Sequence, residues 1–206
     1  MIKAILYDLD GVLVDACEWH YLALNKALNE ISKTIIQRDE HISIFNGLPT
    51  KKKLEKLNEL NRVKFEDNNS IYDRKQYYTK ETIIENGKID ELKKELHEFT
   101  KSLGILSVCV TNSITETAKL MLETTGQLEY MSFLISNEMV SNPKPHAEGY
   151  IRAMISLGFM PNECIIVEDS PIGLQAAKAS GAHIWQVNGC GDVTMKNFQN
   201  YIKFIG

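Results

Sequence analysis

Short unbroken apolar runs take turns along this chain with stretches in which apolar residues return every third or fourth position. The runs predict strands buried on both faces, and the spaced stretches predict helices with one buried side. Ile2 to Tyr7 is the first run. From Asp15 to Asn86 such runs vanish. Helical spacing replaces them, with Trp19, Leu22, Ala23, Ala27 and Leu28 inside Ala16 to Glu30. A charged segment, Lys51 to Leu60, follows, and then Ile71, Tyr72, Tyr78, Thr79 and Ile83 inside Phe65 to Ile84. Asn46-Gly47 after Ile42 to Phe45, Pro49 behind it, and Asn86-Gly87 are the breaks.

The alternation then resumes. A helix over Ile89 to Lys101 stops at Gly104, a strand runs Ile105 to Val110, and a helix covers Ile114 to Glu123. A short strand at Phe133 to Ile135, a helix over Ala147 to Leu157 and a strand at Cys164 to Val167 come next. Pro171 to Lys178 reads as a helix with proline in its first turn and Gly181 at its end, before a strand at His183 to Val187. Strands separated by helices predict an α/β fold with a parallel sheet and right-handed crossovers. The tail, Asp192 to Gly206, receives no assignment.

The runs end in chemistry. Ile2 to Tyr7 leads into Asp8 and Asp10, two acids on either side of Leu9, and then Gly11. Open α/β sheets collect ligands at the carboxyl ends of their strands. Carboxylates held this close repel unless a proton or a cation separates them, and Mg²⁺, a hard ion with a preference for oxygen and phosphate, suits such a pair. A solvated, Asp-rich turn is the plainer reading of the same residues. Leu106 to Val110 ends in Thr111-Asn112-Ser113, whose hydroxyls, amide and following helix start make a phosphate cradle. Ser113 also reads as an N-cap, with Glu116 completing a capping box. Asn142-Pro-Lys-Pro-His146 presents Lys144 on a loop stiffened by two prolines. Cys164-Ile-Ile-Val-Glu-Asp-Ser170 is a second apolar strand tipped with acids, Glu168 and Asp169.

In that order, Asp8-Leu9-Asp10-Gly11-Val12, Thr111-Asn112-Ser113, Lys144 before Pro145, and Glu168-Asp169-Ser170 resemble the four motifs of the haloacid dehalogenase-like superfamily. The branch most resembled holds small phosphatases and β-phosphoglucomutase. The resemblance runs from the first strand to about Val187. It implies a Rossmann-like core over residues 1–14 and 87–206, with a small all-helical cap inserted over 15–86. It implies a Mg²⁺-dependent hydrolase of a small phosphorylated metabolite, such as a sugar phosphate. Asp8 is then the nucleophile, forming an aspartyl-phosphate, and Asp10 the general acid and later base. Asp8, the Asp10 carbonyl and Asp169 are the implied Mg²⁺ ligands, with Glu168 a ligand or a holder of a metal-bound water. Thr111, Asn112 and Lys144 are the implied phosphate contacts, Lys144 also offsetting charge at Asp8. ATP-hydrolysing members resemble this motif but carry Thr at the Asp10 position, so the acid favours phosphatase or mutase turnover.

In the cap, His20 matches a histidine of the mutase-like members, and Gly47-Leu-Pro-Thr50 resembles the loop that closes over substrate. Thr50 stands where β-phosphoglucomutase has an arginine for the distal phosphate, which weakens the mutase reading. Arg74, Lys75 and Gln76 are candidates to meet substrate, Lys75 first among them, although a solvated helix face accounts for them equally. Asn86-Gly87 replaces the Pro-Gly turn common in the family. Two alternatives to the phosphatase remain, a phosphosugar mutase on the same scaffold and a phosphate- or partner-binding protein without turnover. A dehalogenase fits poorly, because Mg²⁺ ligands imply phosphate.

Composition narrows the classes. Apolar residues make up 44% and charged residues 24% of the 206, as in an ordinary globular chain. The net charge of −4, without a basic block, excludes nucleic acid as an expected partner. Lys51-Lys-Lys53 reads as a solvated helix face. Cys17, Cys109, Cys164 and Cys190 lie far apart and suggest neither zinc nor a disulfide framework, with Cys109 and Cys164 as core fillers. The first apolar run is too short for a signal peptide, and no stretch reaches the length of a membrane span. A cytoplasmic protein is expected, and a monomer is compatible with the sequence.

Overall fold

The structure, a computed structural model, describes residues 1–45 and 48–205. The expected Asn46-Gly47 turn, and with it Gly47 of the Gly47-Leu-Pro-Thr50 loop, lies outside the described residues. In chain order the elements are β1 (Ala4–Tyr7), α1 (Cys17–Ser32), α2 (Arg38–Glu40), a π-helical turn (His41–Phe45), α3 (Thr50–Glu59) and α4 (Asn68–Asn86). There follow α5 (Glu91–Ser102), β2 (Leu106–Val110), α6 (Thr115–Thr124), β3 (Met131–Ile135) and α7 (Glu148–Leu157). The chain closes with β4 (Cys164–Glu168), α8 (Pro171–Ser180), β5 (His183–Gln186) and α9 (Met195–Ile205). Two compact units result, one of Met1–Asp15 with Lys88–Gly206, the other of Ala16–Gly87. No helix among the described residues is long and apolar enough to cross a membrane.

The first unit is built on a five-stranded parallel sheet of order β3-β2-β1-β4-β5. All four residues of β1 and all five of β4 are buried, which explains why they read as unbroken apolar runs. Alternation sorts them between the two faces. Ala4 and Leu6 of β1 and Cys164 and Ile166 of β4 join Tyr150, Ala153 and Met154 of α7 and Ala176 and Ala177 of α8 in one core cluster. Tyr7 faces the other way, its ring edge-to-face with the His97 ring of α5 and the ring centres 5.5 Å apart. α9 packs against α5 there, with Phe198 between Phe99 and Trp185, and Tyr201 stacked on Trp185 at 5.8 Å. The tail without a sequence assignment is therefore this amphipathic helix.

His97 makes this face sensitive to acid. It is buried, its Nε2 is 3.2 Å from Gln127 Oε1, and its ring stacks on Tyr130 at 5.3 Å. Burial pushes the imidazole down from 6.5 to about 4, against the opposing pull of the Gln127 hydrogen bond. The folded value lies below the unfolded one, so the unfolded chain takes up the proton first as pH falls. The contribution is whole above about pH 6.5 and is lost down to about pH 4, roughly 3 kcal/mol in all. Urea unfolding of the wild type and His97→Phe across this window is expected to show their stability difference shrinking by that amount toward acid. A constant difference would contradict a neutral buried imidazole.

The second unit is all-helical, as expected. α1 and α4 are its main packing pair, and Leu24, Ala27, Leu28, Phe45, Leu57 and Ile71 form its core. One expectation is corrected here. Lys51 and Lys52 are exposed, but Lys53 is only 8% exposed, and its Nζ lies 3.5 Å from His41 Nε2. Lys53 falls on the same face of α3 as the buried Leu54 and Leu57, so the lysine run does not form one solvated face.

Candidate active site

The register of β1 and β4 brings the acids together. Tyr7 pairs with Val167, so Asp8 and Glu168 stand side by side, one step beyond, on the face that α7 covers. Asp8 N–H still donates to the Val167 carbonyl at 3.0 Å, which holds the residue in line with the sheet. Beyond it, Leu9 O accepts from the N–H groups of Val12, Leu13 and Val14, and Gly11 N–H donates to Val14 O at 2.8 Å. Gly11 sits at φ +90°, and a Cβ there would lie 2.2 Å from Asp169 Oδ2. The turn thus needs glycine twice, for its dihedral and for the approach of Asp169.

Lys144 is the hub. Its Nζ donates to Asp8 Oδ1 and to Glu168 Oε1, both at 2.6 Å, and lies 4.8 Å from the centre of the Tyr150 ring. Tyr150 OH donates to the same Glu168 oxygen at 2.5 Å, and Ser170 Oγ reaches Glu168 Oε2 at 3.3 Å. Glu168 is completely buried, and a Cβ on Gly173 would come within 1.9 Å of its Oε1. Ser170 caps α8, accepting from Gly173 N–H at 3.1 Å, with Pro171 in the first turn. Asn112 holds the lysine loop through a reciprocal pair, Nδ2 to Lys144 O and Lys144 N–H to Oδ1, each at 3.0 Å. Its side chain therefore serves Lys144. Thr111 is buried at the end of β2, its Oγ1 accepting from Ser113 N–H at 2.9 Å.

Ser113 does not cap α6. Ile114 occupies the cap position, and the Thr115 N–H is met by Glu138 Oε2 at 2.8 Å. The Ser113 hydroxyl instead donates to Asp10 Oδ2 at 2.8 Å across 103 residues of sequence. This bond and the one from Tyr150 to Glu168 were not foreseen. Tyr150 reads in the sequence as one more apolar position of a helix, and no local signal gives its partner.

The charges do not balance. Three carboxylates, those of Asp8, Glu168 and Asp169, cluster at the Lys144 ammonium, and the charge of Asp10 is also felt at Asp8. Burial pushes the Asp8 carboxyl well above its usual range, and the charge of Glu168 pushes the same way against Lys144. Burial alone would lower Lys144, but Asp8, Tyr150 and Glu168 hold it well above its ordinary value. Burial, then Glu168, lifts Asp169 to about 6. Carboxylate oxygens of Asp8, Glu168 and Asp169 lie within 4.8 Å of one another, and Asp169 Oδ1 is buried with no hydrogen-bond partner among the described residues. Hard oxygen donors, surplus negative charge and an orphaned carboxylate oxygen fit a divalent cation.

In the helical unit, His20 Nδ1 of α1 and Lys75 Nζ of α4 meet at 3.2 Å. Lys75 is buried, so a solvated face does not account for it. Arg74 turns to Glu30 Oε2 at 2.9 Å and to Tyr78 OH at 3.0 Å. Thr50 is the first residue of α3.

A family model described as haloacid dehalogenase-like hydrolase matches residues 5–187 of the chain. The chain belongs to this family. Among curated relatives of this hydrolase is the phosphorylated carbohydrates phosphatase of Thermotoga maritima, 27% identical over 183 residues, covering 87% of this chain and 82% of that one. β-Phosphoglucomutase of Bacillus subtilis is 25% identical over 193 residues, covering 87% and 80%. Such relatives set the hydrolase in the branch of phosphatases and mutases. The structure of CbbY from Rhodobacter sphaeroides with xylulose-(1,5)bisphosphate shares its fold, with a TM-score of 0.81 at 22% identity over 92% of this chain and 87% of that one.

Proposed function

We propose that this hydrolase is a Mg²⁺-dependent phosphatase of a small phosphorylated metabolite, a sugar phosphate first among the candidates. The observation that carries the reading is the Lys144 ammonium at 2.6 Å from both Asp8 and Glu168, with Asp169 Oδ1 buried and without a hydrogen-bond partner beside them. Asp8, the Asp10 carbonyl and Asp169 would hold the cation, which supplies positive charge to the phosphoryl oxygens and to the attacking carboxylate. Glu168, already accepting from Lys144 and Tyr150, is better suited to fixing the lysine than to ligation.

Asp8 then attacks phosphorus through a carboxylate oxygen as the bond to the ester oxygen breaks. Asp10 gives that oxygen a proton, so the alcohol leaves neutral. In the second half Asp10 takes a proton from water, whose oxygen attacks phosphorus and returns Asp8 as a carboxylate with inorganic phosphate. Ser113, bonded to Asp10, orients the carboxyl for both transfers. Thr111 and Lys144 bind phosphoryl oxygens, and Asn112 contributes by fixing Lys144. We assign catalysis to the sheet unit and choice of substrate to the helical unit, with His20, Thr50 and Lys75 as its candidates. No disulfide joins the four cysteines, which suits a reducing compartment such as the cytoplasm.

The test is phosphate release from a panel of sugar, alkyl, aryl and nucleotide phosphates, with Mg²⁺ and with EDTA. Release from a narrow subset that EDTA abolishes is the expected result. The likeness to β-phosphoglucomutase gives a mutase a definite form as the alternative, and isomer interconversion with little free phosphate would replace the phosphatase by it. Neither activity in folded protein would refute both.

A further inference from the structure

Beneath the turn that carries Asp10 lies a buried polar pair for which the chemistry above has no use. Gln127, fully buried beyond α6, donates from Nε2 to Leu13 O at 3.0 Å and to Thr125 Oγ1 at 2.9 Å. Its Oε1 faces His97 Nε2 at 3.2 Å. A carbonyl only accepts, so the amide must turn its NH₂ toward Leu13, and His97 must then present an N–H at Nε2. His97 is itself wedged between the rings of Tyr130 and Tyr7, the latter the residue before Asp8.

This arrangement grips the turn from below. Leu13 belongs to the loop closed by the bond from Gly11 N–H to Val14 O and by the Leu9 carbonyl. Gln127 reaches it across 114 residues of sequence, while Ser113 holds the Asp10 carboxylate from the other side. A leucine could fill the same space without burying an amide. A buried amide with every donor and acceptor engaged fixes geometry in a way that apolar packing does not. We propose that Gln127 is a positioning residue for Asp10, fixing the Asp10–Val14 turn so that the carboxyl meets the leaving-group oxygen, with His97 setting the orientation of the amide. The inference rests on Asp10 as the general acid.

The experiment compares kcat/KM for an alkyl phosphate from the panel and for p-nitrophenyl phosphate, both with Mg²⁺, in the wild type, Gln127→Leu, His97→Phe and Asp10→Asn. An alkoxide needs a proton to leave, and p-nitrophenolate needs little help. Asp10→Asn is expected to slow the alkyl ester far more than the aryl ester. Gln127→Leu is expected to follow the same pattern, losing roughly 10- to 100-fold on the alkyl ester and about threefold or less on the aryl ester. His97→Phe, which keeps the ring packing, is expected to show the same bias at smaller size and carries the test if Gln127→Leu does not fold. Inhibition by inorganic phosphate should not change in either. Bias in Asp10→Asn but an equal loss on both esters, or none, in the Gln127 and His97 variants would overturn the proposal alone. Absence of bias in Asp10→Asn would remove the reading of Asp10 and the proposal with it.

Discussion

Asp8→Asn is expected to lower phosphate release by on the order of 10⁴-fold or more while the protein stays folded. The amide has the shape of the carboxylate but cannot supply the electron pair that opens the ester, so the covalent route closes. Stability should not fall with it. Asp8 lies among Asp10, Glu168 and Asp169, and burial together with the charge of Glu168 already disfavours its ionised form. Its Oδ1 can go on accepting from Lys144 as an amide oxygen. Thermal unfolding of the variant at or above the wild-type midpoint, with turnover gone, is the expected pair of results. Turnover within about tenfold of the wild type in a pure sample would end the nucleophile assignment.

Replacing the hub should do the opposite and damage the fold as well. Lys144→Met is expected to cost roughly 3–5 kcal/mol near pH 8, because it strips the counter-charge from two buried acids at once. Tyr150 would remain as a donor to Glu168, but nothing among the described contacts replaces the ammonium at Asp8 Oδ1. The cost should depend on pH with a definite sign. Without the lysine the folded pKa of Asp8 rises further above that of the unfolded chain. The folded variant then binds more protons than the unfolded one, and its stability increases as pH falls. Urea unfolding should therefore show a smaller deficit near pH 5 than near pH 8. A deficit under about 1 kcal/mol at both would mean that Lys144 is not the counter-charge that these distances imply. Phosphate release by the variant should be lost at either pH.

Much of this site could be read from the chain because burial on both faces leaves a strong local mark. β1, β2 and β4 are largely apolar runs, and acids or hydroxyls at their carboxyl ends break the run where the buried site begins. The sequence does not state that β1 lies between β2 and β4, yet that order is what sets Asp8 beside Glu168. Partnership between distant groups left no such mark. The serine and glutamate spacing at Ser113 and Glu116 satisfied a local capping rule, but the hydroxyl found Asp10 instead. Lys53 departs from the expected solvated face because its position on α3 follows the helix period to a buried side, although lysine is usually exposed. α9 did carry a pattern, Phe198, Tyr201, Ile202 and Ile205 at helical spacing. Phe204, 86% exposed, blurs that stripe by adding an apolar residue on the wet side.

The order of the strands also sets a timetable for biosynthesis. β1 leaves the ribosome before the helical unit, yet both of its sheet neighbours, β2 and β4, are encoded after that entire unit. The helical unit is one continuous stretch and can fold as soon as it is translated. Meanwhile Ala4 to Tyr7, every residue of it destined for the interior, emerges as a naked apolar edge with nothing to pair with. The strand that leads into Asp8 thus waits longest for its partners, and its second edge is sheltered only once the strand that ends in Glu168 has been made.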